Sequence, residues 1–454
     1  MSFPFANHDD TRRAPWRTVA AIALAACVTG CATYHAKPLP EQAASAASLS
    51  QLQGYDPTAL PLDMVAVERL VLLNNPDIKS QHARHQAAQA QRRQDGVLPN
   101  PSVGGSVGYL ISGPGDATAW TASISQDITS LITLRPRREA AKANADEVDA
   151  SLLWEQWQTL GKARLLVIGL VEGEREVALQ KQAMDAQAQR EARIVSAVNA
   201  GNMDRVTVAS DLAAAADARA TLDELQRRQL DQRQQLDALM GLKPDVVLPL
   251  TSTLPQASVD ASAIREQFDS VSHRRPDLVA LQLGYRAQEA NLRAAVLAQF
   301  PPLAVGYDAS QDNSRVRNGG PAVNFTLPIF DHNQHNVAVA SATREQLYQE
   351  YTTRLATSHD DVDALLAQYA QLDAQQQAQA RATDDAVRAA AQASRAAQAA
   401  LIDVRNVTDL RVAAINRQLA QLAIEQNMLE QQAALELLVG RGMPTSLEQD
   451  VMAP

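Results

Sequence analysis

Few residues in this 454-residue sequence have the types and spacing for chemistry. Gly104-Gly105-Ser106-Val107-Gly108 matches G-x-S-x-G, the turn that presents a serine nucleophile in hydrolases. That motif works where a strand breaks sharply into a helix with the serine at the apex. Here apolar and small residues keep alternating through Tyr109, so Ser106 is expected inside a continuous strand. Asp331-His332-x-x-His335 and His82-x-x-His85 carry donors suited to transition metals. A metal needs three or four converging ligands, however, and Asp, Asn and His commonly cap a strand-to-helix junction. The sequence contains no G-x-x-x-x-G-K-[ST] phosphate loop. These signals together predict no catalytic residue, no resident metal and no cofactor; the chain is read as a non-enzyme. Its formal charge of −10 argues against nucleic acid as a partner, because phosphate neutralisation needs a basic face.

The elements that would position any site begin with an export signal. Arg12, Arg13 and Arg17 precede an apolar run, Thr18 to Cys27, too short to span a bilayer, and then Val28-Thr29-Gly30-Cys31. Small residues just before a cysteine resemble the bacterial lipoprotein signal, in which that cysteine is acylated; the alternative is an ordinary signal cut at a nearby small residue. The lipoprotein resemblance makes Cys31 the lipidation site and, with Ala32 after it, implies the outer membrane. Both cysteines lie in the first 31 residues, which excludes a disulfide scaffold and a Cys-rich metal site.

Beyond the signal the chain repeats itself at an offset of about 200 residues. Asn75-Pro76-Asp77-Ile78 recurs as Arg275-Pro276-Asp277-Leu278, Val206-Thr207 as Val407-Thr408, and Leu239-Met240-Gly241 as Leu438-Val439-Gly440. The domains read as signal 1–30, acylated N-terminal segment 31–61, repeat one 62–242, linker 243–260, repeat two 261–442 and tail 443–454. Each copy contains two alternating stretches. Val103, Val107 and Tyr109 oppose Ser102, Gly104 and Ser106; Trp120, Ala122, Ile124 and Ile128 oppose Thr121, Ser123, Ser125 and Asp127. In copy two Leu303, Val305 and Tyr307 form one apolar face and, after a polar loop from Gln311 to Gly320, Val323, Phe325, Leu327 and Ile329 form another. Strands of about 8 to 10 residues with one apolar and one small, polar face suit lipid outside and water inside; the competing reading is a half-buried soluble sheet. Four strands cannot close a transmembrane barrel, so a membrane role requires hairpins pooled between subunits.

The rest is helix. Pro-free runs from Arg137 to about Asn199 and from Val337 to about Ala400 would each reach ~90 to 95 Å at ~1.5 Å per residue. Each ends in a short break, Asn199 to Asn202 or Leu401 to Asp403, and a returning helix, the second with Val412, Ile415, Leu419 and Leu422 at heptad-like spacing. The fold class is therefore mainly α with a small β part: duplicated long-helix coiled hairpins plus two β-hairpins.

That order of elements, with Asn74-Asn75-Pro76-Asp77, Leu98-Pro99-Asn100-Pro101 and Thr326-Leu327-Pro328-Ile329-Phe330, resembles the TolC-like outer-membrane efflux channel family over nearly the whole mature chain. The Pro-Asn-Pro element looks most like the heavy-metal efflux branch. The resemblance implies a homotrimer forming a transmembrane β-barrel of about 12 strands and a periplasmic α-barrel. It also implies a passive duct for small solutes, drugs or heavy-metal ions, working with a periplasmic adaptor (membrane fusion) protein and an inner-membrane pump of the resistance-nodulation-division type. By the same resemblance the periplasmic tip is a gate carrying luminal acids, which assigns that role to Asp403 and Asp409; solvated helix-cap carboxylates are the alternative. Asp409-Leu410 matches the family's acidic-aliphatic pair, whereas copy one has Thr207-Val208 there and the family's usual glycine before the second tip is missing. The other function class is a lipid-anchored periplasmic coiled-coil tether.

Overall fold

The computed structural model describes residues 34–41, 44–244, 246–255, 259–399 and 401–440. Cys31, the signal and the tail lie outside the described residues. Met1–Ala44 and Ser45–Pro454 are separate units; in the first, residues 34–40 are exposed and without regular structure.

The second unit repeats one order of elements. Copy one runs α1 (Met64–Asn74), α2 (Pro76–Asp95), β1 (Ser102–Gly108), β2 (Ala119–Asp127), α3 (Thr129–Asn199) and α4 (Ala209–Leu239). Copy two runs α5 (Ala261–Phe268), α6 (Val271–Arg274), α7 (Pro276–Leu297), β3 (Leu303–Gln311), β4 (Arg317–Phe325), α8 (Gln334–Gln398) and α9 (Val404–Val439). With 71 residues, α3 is ~107 Å long at ~1.5 Å per residue, and it packs against helices of both copies.

Two expected boundaries differ. The long helix of copy one starts at Thr129, eight residues before Arg137, and runs through Pro136. The Asp127 carboxylate accepts from the Thr129 N–H at 2.8 Å, and the Ser130 and Thr133 hydroxyls donate to the Asp127 and Thr129 carbonyls. Side chains thus hold the turns upstream of the proline, whose missing N–H would otherwise weaken them. The fourth strand, expected from Val323 to Ile329, occupies Arg317–Phe325 and takes in Gly319, Gly320 and Pro321. An edge strand tolerates proline. At Gly319 a Cβ would sit 2.8 Å from the Tyr307 hydroxyl, so the glycine makes room for that ring.

The sheet is antiparallel in the order β1-β2-β3-β4. Its register puts Val103, Ile124, Tyr307 and Pro321 in one row and Leu303 beside Phe325, giving one continuous apolar face. The other face carries Ser102, Ser106, Thr121, Ser123, Ser125, Asp127, Asp308, Ser310, Asn318 and Asn324, with glycine and alanine between them. Hydroxyl pairs join its strands, Ser102 to Ser125 at 2.7 Å and Ser106 to Thr121 at 2.8 Å. The outer edges of β1 and β4 have no strand partner among the described residues.

The main core lies where α1, α3 and α4 meet. Val67, Leu70, Val71, Ala163, Val167, Leu170, Leu236 and Met240 are buried there. Close approach is built into α3: a Cβ at Gly169 or Gly173 would meet the Gln232 or Gln229 amide, and Gln229 Nε2 donates to the Gly169 carbonyl at 2.9 Å. The described part of the linker packs against the segment before repeat one and its first residues. Ala46 and Leu62 form parallel bridges with Leu242 and Leu250, and Leu242 and Leu248 are buried. Arg164 on α3 pairs with Glu68 on α1 and with Glu436 on α9 at 3.3 Å, while the Trp157 indole donates to the Leu437 carbonyl at 2.8 Å. These contacts tie copy one to copy two beside the core.

The asparagine cap of copy one has an ionic replacement in copy two. Asn75 accepts from the Ile78 N–H and donates to the Leu239 carbonyl. Arg275 instead forms a bidentate pair with Asp277 at 2.8 and 2.9 Å, donates to Ser358 and lies over Trp154. Asp260 caps α5; the Ser262 hydroxyl and the N–H groups of Ala263 and Ser262 hold its carboxyl below the usual carboxylate range.

Leu236→Ala should cost ~2 to 5 kcal/mol by opening a cavity at a fully buried position. Thermal melting of the purified protein followed by circular dichroism checks this, and an unchanged midpoint would contradict the assignment of the core.

Candidate functional site

Two places have functional geometry: the sheet and the far ends of the long helices. Sheet first. Val103, Val107, Ile124, Tyr307, Val323 and Phe325 are all exposed, although they share one face. Aromatic residues flank the ladder, Tyr109 and Trp120 toward the hairpin loops and Phe300, Phe325 and Phe330 toward the helices. An apolar band between aromatic ends, backed by a small polar face, is the pattern of a lipid-facing strand set. No helix among the described residues is long and apolar enough to cross a membrane.

The hairpin loops are tied to each other. Arg315 pairs with Asp116 at 2.8 Å, and the Asn313 carbonyl accepts from the Asp116 and Ala117 N–H groups.

At the opposite end each long helix turns back. Gly201, with φ of +75°, ends the first tip's tight turn, a conformation that favours glycine, and the chain then makes further turns before α4. The second tip is shorter. Val407-Thr408 already lies inside α9, whereas its counterpart Val206-Thr207 lies before α4.

The two acids expected there have different roles. Asp403 is the N-cap of α9 and accepts from the Arg405 N–H at 3.2 Å. Asp409, about half exposed, accepts from Arg190 on α3 at 2.5 Å. Arg190 also pairs with Asp211 on α4, and Asp211 pairs in turn with Arg405 on α9 at 3.3 Å. The chain Asp409–Arg190–Asp211–Arg405 therefore links the hairpin of copy one to the returning helix of copy two. Arg190 and Asp211 are largely buried, with side-chain exposures of 11% and 10%. A cleft of about 340 Å³ lined by Arg193, Ile194, Met203, Asp403 and Val404 opens beside them.

Arg190, Asp211 and Arg405 went unassigned in the sequence. Charges near a helix tip are visible there, but their pairing spans separations of 219 and 194 residues and depends on which helices become neighbours.

The other motifs have local roles. Ser106 sits within β1 and bonds across to Thr121, not at a strand-to-helix apex. His85 bonds Asp149 at 2.5 Å, and Asp331 accepts from the Asn333 N–H. Among the described residues no group of three or more His, Cys, Asp or Glu is placed to hold a metal ion.

A duplicated chain of long coiled hairpins, carrying a sheet with one lipid-suited face, defines a channel-forming outer-membrane protein. Residues 68–242 and 268–441 each match the family described as outer membrane efflux protein, and the chain belongs to that family. It is therefore an efflux channel of the outer membrane, not an enzyme. It is 26% identical over 403 residues to the pyoverdine export outer membrane protein OpmQ of Pseudomonas putida KT2440, covering 81% of this chain and 84% of that one. Among solved structures, the Campylobacter jejuni outer membrane channel CmeC aligns with a TM-score of 0.69 at 15% identity, covering 93% of this chain and 98% of the other. The outer-membrane channel OprN aligns at 0.68 and 16%, covering 91% and 100%. These share the TolC-like fold.

Arg190→Gln breaks the contacts to two carboxylates at once and should separate the tips. Spin labels at the exposed positions Val206 and Leu401 should then give a broader and longer distance distribution by double electron–electron resonance. An unchanged distribution would show that apolar contacts alone hold the tips together.

Proposed function

We propose that this channel is the passive exit duct of a tripartite efflux system, built as a homotrimer. The observation that carries the reading is the sheet: four strands, one apolar face, one polar face and two open edges. In lipid every unpaired backbone group costs several kcal/mol, so β1 of one chain must meet β4 of another until the ring closes. Three chains supply about 12 strands, within the range of transmembrane barrels. The duplicated helices, in turn, supply a periplasmic tube. Family membership and the fold of CmeC and OprN support this assembly.

The same reading gives the domains as repeats 62–242 and 261–442 around a packed connection, supported by the two family matches. Cys31 is the acylated first residue of the mature chain, on the resemblance of Val28-Thr29-Gly30-Cys31 to a lipoprotein signal. The chain lacks a phosphate loop, so energy for transport comes from an inner-membrane pump, reached through a periplasmic adaptor protein. Cargo is a small solute selected by that pump, and the relative named for pyoverdine export favours an organic one over a metal ion.

Native mass in mild detergent should correspond to three mature chains. Cys31→Ser, exported through an ordinary signal, should remain in the membrane through carbonate extraction; release would favour the lipid-anchored tether.

The periplasmic gate is the Asp409–Arg190–Asp211–Arg405 chain, with Asp403 shaping the turn beside it. Asp409→Ala should raise single-channel conductance and weaken block by divalent cations from the periplasmic side. The increase should be smaller than for Asp211→Asn, which loosens both arginines. Unchanged conductance and block in Asp409→Ala would remove that residue from the gate.

A further inference from the structure

We infer that Asp308 is the charge filter of the membrane-spanning exit, the residue that makes the barrel favour cations over anions. The inference rests on the reading of the sheet as one third of a closed barrel.

Register fixes its position. Asp308 lies near the middle of β3, opposite Ser123 on β2 and Gly320 on β4, and Ser123 is opposite Gly104 on β1. It therefore belongs to the polar face. The row on one side contains Ser102, Ser125, Gly306 and Ala322, and the row on the other contains Ser106, Thr121, Ser310 and Asn318. None of these is charged. Within its own row only Ser123 has a side chain beyond Cα.

Nothing neutralises it. Asp308 is exposed, and no hydrogen bond or ion pair reaches its carboxylate among the described residues. The neighbouring charges are engaged elsewhere. Asp127 accepts from Thr129 at the helix end of β2, Asp312 holds the N–H groups of Ser314 and Val316, and Asp116 is paired with Arg315. Arg317 is in register with Gln311 and Trp120 on the apolar face, and it donates to Gln311, so it lies on the lipid side of the wall.

Three-fold repetition brings three such carboxylates to one level of the lumen. Charges of one sign along a low-dielectric wall concentrate their counter-ions. Their reach is set by screening, ~30 Å at 0.01 M salt, ~8 Å at 0.15 M and ~3 Å at 1 M. Discrimination must therefore be salt-dependent.

The test is the reversal potential of the purified full-length protein in planar bilayers under a potassium chloride gradient. The wild type should favour K⁺ at low salt. Asp308→Asn should lower the K⁺/Cl⁻ permeability ratio by about twofold or more, and the difference should vanish near ~1 M salt. Asp308→Cys, assembled first and modified afterwards, guards against a folding defect. An anionic sulfonatoethyl thiol adduct should restore cation preference, and a cationic trimethylammonium adduct should move the ratio toward chloride. If wild-type pores conduct but neither Asp308→Asn nor either adduct shifts the reversal potential, the filter is refuted while the duct stands. Wild-type protein that forms no pore would overturn the duct reading itself.

Discussion

A backbone N–H or C=O without a partner costs several kcal/mol in hydrocarbon, and this constraint governs the organisation of the chain. The four strands satisfy one another from β1 to β4 and stop. Side chains have already divided the two faces between lipid and water, which leaves the backbone groups on the outer edges of β1 and β4 without a strand partner among the described residues. Those edges make the sheet a component, not a finished barrel. Gly319 and Pro321 fit the same logic, since an edge strand accepts residues that a central strand would not.

The helical part meets a different demand, that of holding very long rods in fixed relation without a wide hydrophobic core. The structure uses one spine. Along α3, glycines admit the amides of α4, buried apolar residues meet α1 and α4, and Arg164 and Trp157 bind α9. Buried pairs of this kind add little net stability compared with apolar packing but are costly to break from one side. They therefore fix which helix lies beside which. The tip network extends this principle to the end of the unit, where Arg190 serves a carboxylate from each copy.

Duplication supplies the scaffold, and the two copies diverge at particular contacts. The Asn75 cap and the Arg275–Asp277 pair start equivalent helices by different chemistry. Likewise Asp409 stands where copy one has Val208, so the tip interaction joins the two copies asymmetrically. That seam is held by polar links between the two copies, apart from the buried apolar core.

What the sequence determined by itself was periodic. Alternation along Val103 to Tyr109 and Trp120 to Ile128, uninterrupted Ala- and Gln-rich runs, and proline at helix starts are local properties, and they give the strands, the long helices and the duplication directly. Where local rules conflicted, tertiary context decided. Gly319-Gly320-Pro321 reads as a loop until Tyr307 lies over Gly319 and the strand is known to be an edge. The long helix reads as beginning at Arg137, past Pro136, until hydrogen bonds from Ser130 and Thr133 hold the turns from Thr129 as helix. The linker's contacts, a bridge from Leu250 to Leu62 and a hydrogen bond from the Lys243 N–H to the Ala46 carbonyl, have no signal in its sequence. The site divided the same way. Asp403 and Asp409 could be marked from the sequence as acids at a tip, but the partner of each depends on helices brought together from opposite halves of the chain, and no local pattern encodes that adjacency.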